Sequence, residues 1–352
     1  MAIETVSRTA KVLYDEQQPF VGKQLYQALF PQQINTTEAS FQVDYYTGGP
    51  EAMLTVRPNE SSRVKVFEAG SGYQYSPYIS SEKTPIDAQL MEAVMAGLEP
   101  TAPYSARAAE YMNQIVSGPR GFINRNHMQR NKAAMDVLVN GTYTQINEAG
   151  TLSTLDFSRD ADLTETYDFT AEGATFDAAL VELIDLLEAQ GTPTDNLAFI
   201  MGKSWLQKVM SESAVITKIN AFQNSNLMQF MPEQFQGIDG LRTYGWYTPA
   251  GSLHRVQLLA YTPTWQYNLA GTASDYIAAT KAVLFNASML AWEFNCGIPV
   301  LRNGKNVMET GDLVFATDSQ NDPPIEWVIA RNRFAFVPGN INHTCVSTGT
   351  FS

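Results

Sequence analysis

The residues able to do chemistry are few and scattered. The 352-residue chain has three histidines, His127, His254 and His343, and two cysteines, Cys296 and Cys345. His343 and Cys345 stand close together in a predicted C-terminal strand. A nucleophilic Cys–His pair is built by the approach of separate segments, so this closeness carries little weight. His127 lies between Arg125 and Arg130 with no partner for general-base work, and the sequence predicts a polar, surface-facing imidazole. Asp160-Ala161-Asp162 offers two carboxylates to a cation, but a calcium loop also needs a glycine and a distal Glu at fixed offsets. No nucleophile elbow, phosphate loop or dinucleotide fingerprint occurs. No catalytic residue, metal or cofactor is therefore expected. Trp205, Trp246, Trp265, Trp292 and Trp327 read as core or interface anchors. A stacking platform for single strands would need interleaved Lys/Arg, which the second half lacks.

Positive charge is concentrated in one stretch, 101–141. It carries Arg107, Arg120, Arg125, Arg130 and Lys132 against Glu110 and Asp136, in a chain of net charge -13. Sequence-reading DNA binding needs a cationic footprint, which the overall balance argues against. An acidic wall can still enclose nucleic acid without gripping it. The stretch reads as a long helical element interrupted at Gly118-Pro119, where proline must kink or split the helix, and closed by Gly141.

The remaining elements follow from composition and period. A content of 44% hydrophobic and 17% charged residues marks a globular chain of one large or two medium domains. No run approaches the roughly 20 apolar residues of a membrane span. With no signal-like N-terminus and no cysteine framework, the chain is expected to be soluble and made in the cytosol. Residues 1–24 read as a mobile or partner-wrapped arm. Two strand-like pieces lie in 39–57. Residues 58–85 read as a hairpin that leaves the body, tipped at Gly70-Ser71-Gly72, with Tyr73, Tyr75 and Tyr78 on its return. A short helix or strand is expected over 86–98, and an acidic, loop-like stretch toward 172. Phe176, Leu180, Leu183, Ile184 and Leu187 give the clearest helix, over 175–190. LAFIMG is a buried strand followed by helices, and later strands are expected at 240–247, 256–263, 281–286 and 327–337. The order predicts an α+β fold of mixed connectivity.

That order resembles the major capsid proteins of tailed bacteriophages, most closely the lambda-type (major capsid protein E) family with the HK97 capsid fold. LYQALFPQQINTTEASFQVDYYTGG looks like the family's opening, and FEAGSGYQYSPYISSEKTPID like its extended loop. NKAAMDVLVNGTYTQ looks like the end of its spine helix, and LAFIMGKSWLQKVM like its strand with an aromatic-bearing helix. DYIAATKAVLFN and RFAFVPG resemble its late strands, although no proline follows Ile277.

The resemblance implies an HK97-like architecture: an N-terminal arm (1–24), a peripheral domain (25–57 and 86–169) with spine helix 101–141, an extended β-hairpin loop (58–85), an axial domain (170–310) and a return to the peripheral domain (311–352). It implies a protein that self-assembles into hexamers and pentamers of an icosahedral head enclosing double-stranded DNA without sequence recognition. Portal and scaffold or decoration proteins are implied partners, with no membrane. The protein would be made in the bacterial cytoplasm and end in the virion. Candidate inter-subunit contacts are Arg63, Lys65, Tyr73, Tyr75, Tyr78, Lys83, Arg107, Arg120, Arg125 and Arg130. Arms and loops without their own core must bury surface on partners, and head-to-tail contacts that close make rings. The alternatives are an encapsulin-like compartment shell, or a soluble α+β enzyme acting through Cys345 or the acidic stretch 156–172.

Overall fold

Three apolar runs of the second half, Leu197–Met201, Val256–Tyr261 and Lys281–Asn286, form the middle of a six-stranded sheet. The computed structural model describes residues 23–45, 71–86, 104–147, 150–224, 235–266, 273–289, 291–302, 305–321 and 324–351. In chain order its first elements are α1 (Leu25–Leu29), β1 (Gln32–Asn35), β2 (Phe41–Tyr45), β3 (Ser71–Tyr75) and β4 (Ser80–Ile86). Helices α2 (Tyr104–Ser117) and α3 (Phe122–Asn140) follow, then β5 (Thr142–Asn147), β6 (Gly150–Asp156) and β7 (Thr164–Asp168). Next come α4 (Phe176–Ala189), β8 (Leu197–Met201), α5 (Lys203–Ser211), α6 (Ser213–Asn224), β9 (Leu241–Tyr247) and β10 (Val256–Tyr261). After the short pair β11 (Thr264–Trp265) and β12 (Ser274–Asp275) come β13 (Lys281–Asn286), β14 (Ala291–Asn295), β15 (Ile298–Arg302) and β16 (Lys305–Glu309). The chain ends with β17 (Val314–Asn321), β18 (Pro324–Asn332), β19 (Phe334–Pro338) and β20 (Thr344–Thr350).

The six-stranded sheet has the order β7-β20-β13-β8-β10-β9. Its β8–β10 and β7–β20 pairs are parallel and the others antiparallel, so connectivity is mixed. Both faces are covered, which is why its central strands read as unbroken apolar runs. Side chains alternate between two cores. Ala198, Ile200, Leu259, Val283 and Phe285 meet α1 and α3, while Leu197, Phe199, Met201, Leu258 and Leu284 meet α4 and α5. Helix α4 buries every residue of its predicted stripe and is capped by Thr175, whose Oγ1 accepts the Ala178 N–H at 3.3 Å. The turn from β8 into α5 requires Gly202, because a Cβ there would stand 2.4 Å from the Ala278 carbonyl oxygen.

The basic stretch is two helices. Residues 118–121 separate α2 from α3, and Pro119 offers no N–H to continue the ladder. Gly141, at φ 68°, ends α3 with its N–H on the Val137 carbonyl. Arg159 completes that end by donating to the Leu138 and Val139 carbonyls at 2.6 and 2.9 Å. A cation there satisfies terminal acceptors and opposes the negative end of the helix dipole.

Several expectations change. Part of the predicted hairpin, 58–70, lies outside the described residues, and the root of its return limb, Ser80–Ile86, joins the body. Strand β3 pairs antiparallel with β2, and β4 pairs with β18 in the sheet β17-β18-β4. Ser71 and Gly72 are thus strand residues and not a tip. Tyr75 supplies the reason: it packs edge-on against Phe41 and Tyr143, so the polar-looking limb has an aromatic inner face. The acidic stretch is also not all loop. It contains β6 and β7, and in β7 the carboxylates flank an edge strand whose other neighbour is absent among the described residues. The 86–98 expectation lies outside the described residues beyond Ile86. The region predicted as one strand over 327–337 is split between β18 and β19. Of the closing segment, β19 joins β14 and β1, whereas β20 joins the six-stranded sheet.

Candidate assembly surface and the Arg130 network

Arg130 sits on the face of α3 that meets β14 and is fully buried. It cannot reach a neighbouring subunit, so the expectation that it makes an inter-subunit contact is corrected. Its Nη1 is paired with the Glu293 carboxylate. Its Nη2 donates to Asn295 Oδ1 at 3.0 Å and to the Asp312 carbonyl at 2.8 Å, and its Nε donates to Asn126 at 3.3 Å. The guanidinium also lies 4.5 Å from the centroid of Phe334. Burying an unpaired charge is costly, and the fork of donors on Arg is matched here by carboxylate, amide and carbonyl oxygens. Asn295 extends the network to Asn35 at 3.1 Å, and Gln33 bonds Asp312. Helix α3, β14, β19 and the loop at Asp312 thus meet at one cation, and β1 is joined to it through Asn295 and Asp312.

One turn earlier, His127 is buried too, where the sequence predicts exposure. It stacks on Tyr26 of α1, whose hydroxyl is 3.3 Å from Nδ1. Nε2 meets no hydrogen-bond partner among the described residues. Burial, reinforced by the Arg130 charge and opposed by Asp312, lowers its pKa to about 4. Because the folded state binds the proton more weakly than the unfolded chain, the stabilisation is complete above about pH 6.5 and is lost as pH falls toward 4. Wild type is expected to lose on the order of 2–3 kcal/mol more stability than His127→Gln between pH 7 and pH 4. Urea titrations at the two pH values test this; equal losses would contradict it.

The other candidate contacts separate by exposure. Arg63 and Lys65 lie outside the described residues. Tyr73 is in β3 and Arg107 in α2. Tyr75 is half-buried on its own chain, its hydroxyl 2.8 Å from Ser153 Oγ. Tyr78 is 54% exposed, and Gln145 holds its backbone from below, accepting its N–H at 2.8 Å and donating to its carbonyl at 3.1 Å. Lys83 is exposed with Nζ 4.6 Å from the centroid of the Trp327 ring. Arg120 is exposed in the turn between α2 and α3. Arg125 is half-exposed and pairs with Glu82 of β4 at 2.7 Å, inside the chain. Among the described side chains, the accessible members are therefore Tyr78, Lys83, Arg120 and Arg125.

The sequence matches the family model described as phage major capsid protein E over residues 14–299. The chain belongs to that family. No curated protein sequence matches it. Among solved structures, it is similar to a crystal structure described as a prophage capsid protein of E. coli CFT073, at 13% identity and a TM-score of 0.61, covering 98% of this chain and 99% of that one. A phage-related protein from Bordetella bronchiseptica RB50 gives 8% identity and a TM-score of 0.51, with 96% of each chain covered. At such identities the likeness is one of fold, the HK97-like capsid fold.

In this capsid-forming protein Cys345 and Asp160 are engaged in the fold. Cys345 is buried in β20, and burial pushes its thiol up to about 12, so a thiolate is scarce at neutral pH. Asp160 accepts the Asp162 N–H at 3.4 Å and caps a short helical turn. Among the described residues no cluster of three or more His, Cys, Asp or Glu could hold a metal ion. No helix among them is long and apolar enough to cross a membrane.

Proposed function

We propose that this capsid protein assembles into hexamers and pentamers of an icosahedral head that encloses packaged double-stranded phage DNA. The observation that carries the reading is the family match over residues 14–299. The net charge of -13 supports a wall that contains DNA without binding its sequence. In this reading 1–24 is an arm, 58–70 the outer part of an extended loop with β3 as its return, α2 and α3 the spine of a peripheral domain, and 170–310 an axial domain at the capsomer centre. Arg63, Lys65, Tyr73 and Arg107 join Tyr78, Lys83, Arg120 and Arg125 as contacts between copies. Each exposed charge pair contributes only about 0–1 kcal/mol, but repetition over a shell selects one register. Portal and scaffold or decoration proteins are the further partners, and the protein ends in the virion after synthesis in the host cytoplasm.

The test is the content of the particles. Shells purified from phage-producing cells and treated with nuclease are expected to retain protected double-stranded DNA. Shells holding enzyme cargo and no DNA would replace this reading with a compartment shell.

A further inference from the structure

The hairpin β15–β16 carries an anomaly. Its strand β15 alternates cleanly: Ile298 and Val300 are buried against Val314, Ala316 and Ile329. The outward positions of such a strand are ordinarily polar. Here they are Pro299 and Leu301, and the register sets Pro299 opposite Met308. Leu301 is 66% exposed and Met308 39%. The hairpin is also fastened to the body. Arg302 grips Glu309 through two bonds of 2.7 and 3.1 Å and donates to the Phe315 carbonyl at 3.0 Å. A fixed apolar surface loses little entropy on binding, which is how recognition surfaces gain affinity.

The root of the hairpin is tied to a second exposed side chain. Arg333 donates to the Gly297 carbonyl at the root of β15 and to the Pro77 carbonyl in the strap 76–79, at 3.0 and 2.7 Å. That strap presents the exposed Tyr78 already described, fixed by Gln145. One guanidinium therefore ties the hairpin to an aromatic of the type that dominates interface energetics.

We propose that the outer face of β15–β16, tied through Arg333 to the strap that carries Tyr78, docks against a second copy of this chain. This rests on the shell-forming reading above. The patch is too small to hold a dimer alone, since stable interfaces bury about 1,200–2,000 Å². It suits one contact among several in a closed assembly. Its exposed Lys305, beside the paired Arg302 and Glu309, makes the hairpin locally basic against a partner whose net charge is -13.

Two experiments on the full chain test it. Leu301→Ser combined with Met308→Ser is expected to leave the melting temperature of the subunit unchanged and to lower the yield of sedimenting shells at least tenfold. Normal yield from a folded variant would overturn the docking surface while leaving the shell reading intact. Wild type that makes no assembly would overturn both. A photo-crosslinker at position 301 of the otherwise wild-type chain decides independently of the variant's folding. Chain-to-chain products mapped to this face are expected. Crosslinks to a different protein alone, or none in assembled shells, would overturn the proposal.

Discussion

Arg130→Ala will cost about 3–5 kcal/mol of folding stability, whereas Arg125→Ala will cost at most about 1 kcal/mol. Both are arginines of α3, five residues apart, and their charges look alike in sequence. The difference is burial. Removing Arg130 strands the Glu293 carboxylate at 3% exposure and leaves Asn295 and the Asp312 carbonyl without their donor. Removing Arg125 releases Glu82 into solvent. Urea denaturation of the three proteins at neutral pH measures the effect. The double variant Arg130→Met with Glu293→Leu is expected to recover most of the loss, because apolar replacement of a whole buried pair is often near neutral. Equal midpoints for Arg130→Ala and Arg125→Ala would show that the network does not join α3 to β14.

Trp205→Ala will destabilise by about 3–5 kcal/mol, the range for deleting a large buried aromatic. Trp205 is fully buried, with the rings of Tyr167, Phe169, Phe176, Phe199 and Phe351 around it. Those rings come from β7, α4, β8 and the residues after β7 and β20, so one side chain joins segments far apart in sequence. Its indole N–H donates to the Thr280 carbonyl at 2.9 Å. Trp205→Phe keeps most of the packing and loses that bond, so its cost is expected to be less than half. A thermal shift series on the three proteins gives the ranking; a small effect for Trp205→Ala would mean that the side of the sheet covered by α4 and α5 is not held by this aromatic cluster.

What could be read in advance was local. The stripe of α4 and the apolar runs of β8, β10 and β13 follow from residues within one element, and the break at Pro119 needs only the missing N–H. What could not be read depended on distant partners. Strand β4 finds β18 between 240 and 252 residues later, and nothing within Ser80–Ile86 announces that pairing. Arg130 looks like a surface charge because its helix carries others, and its carboxylate partner lies 163 residues on. A signal did exist in β14, AWEFN, where Ala291, Glu293 and Asn295 occupy the buried positions. Polar residues at the inward period of a strand announce a buried counterpart, although not which one. Among the candidate contacts, residue type could not distinguish Tyr75, turned onto Tyr143, from Tyr78, held outward three residues later.

The most direct test of self-assembly is cryo-electron microscopy of the purified full chain over a range of concentrations. The account predicts closed shells or free rings of five and six copies, with Tyr78 and Leu301 at contacts between copies and Arg130 enclosed within each. A chain that stays monomeric or dimeric under every condition, with no ring or shell, would contradict it.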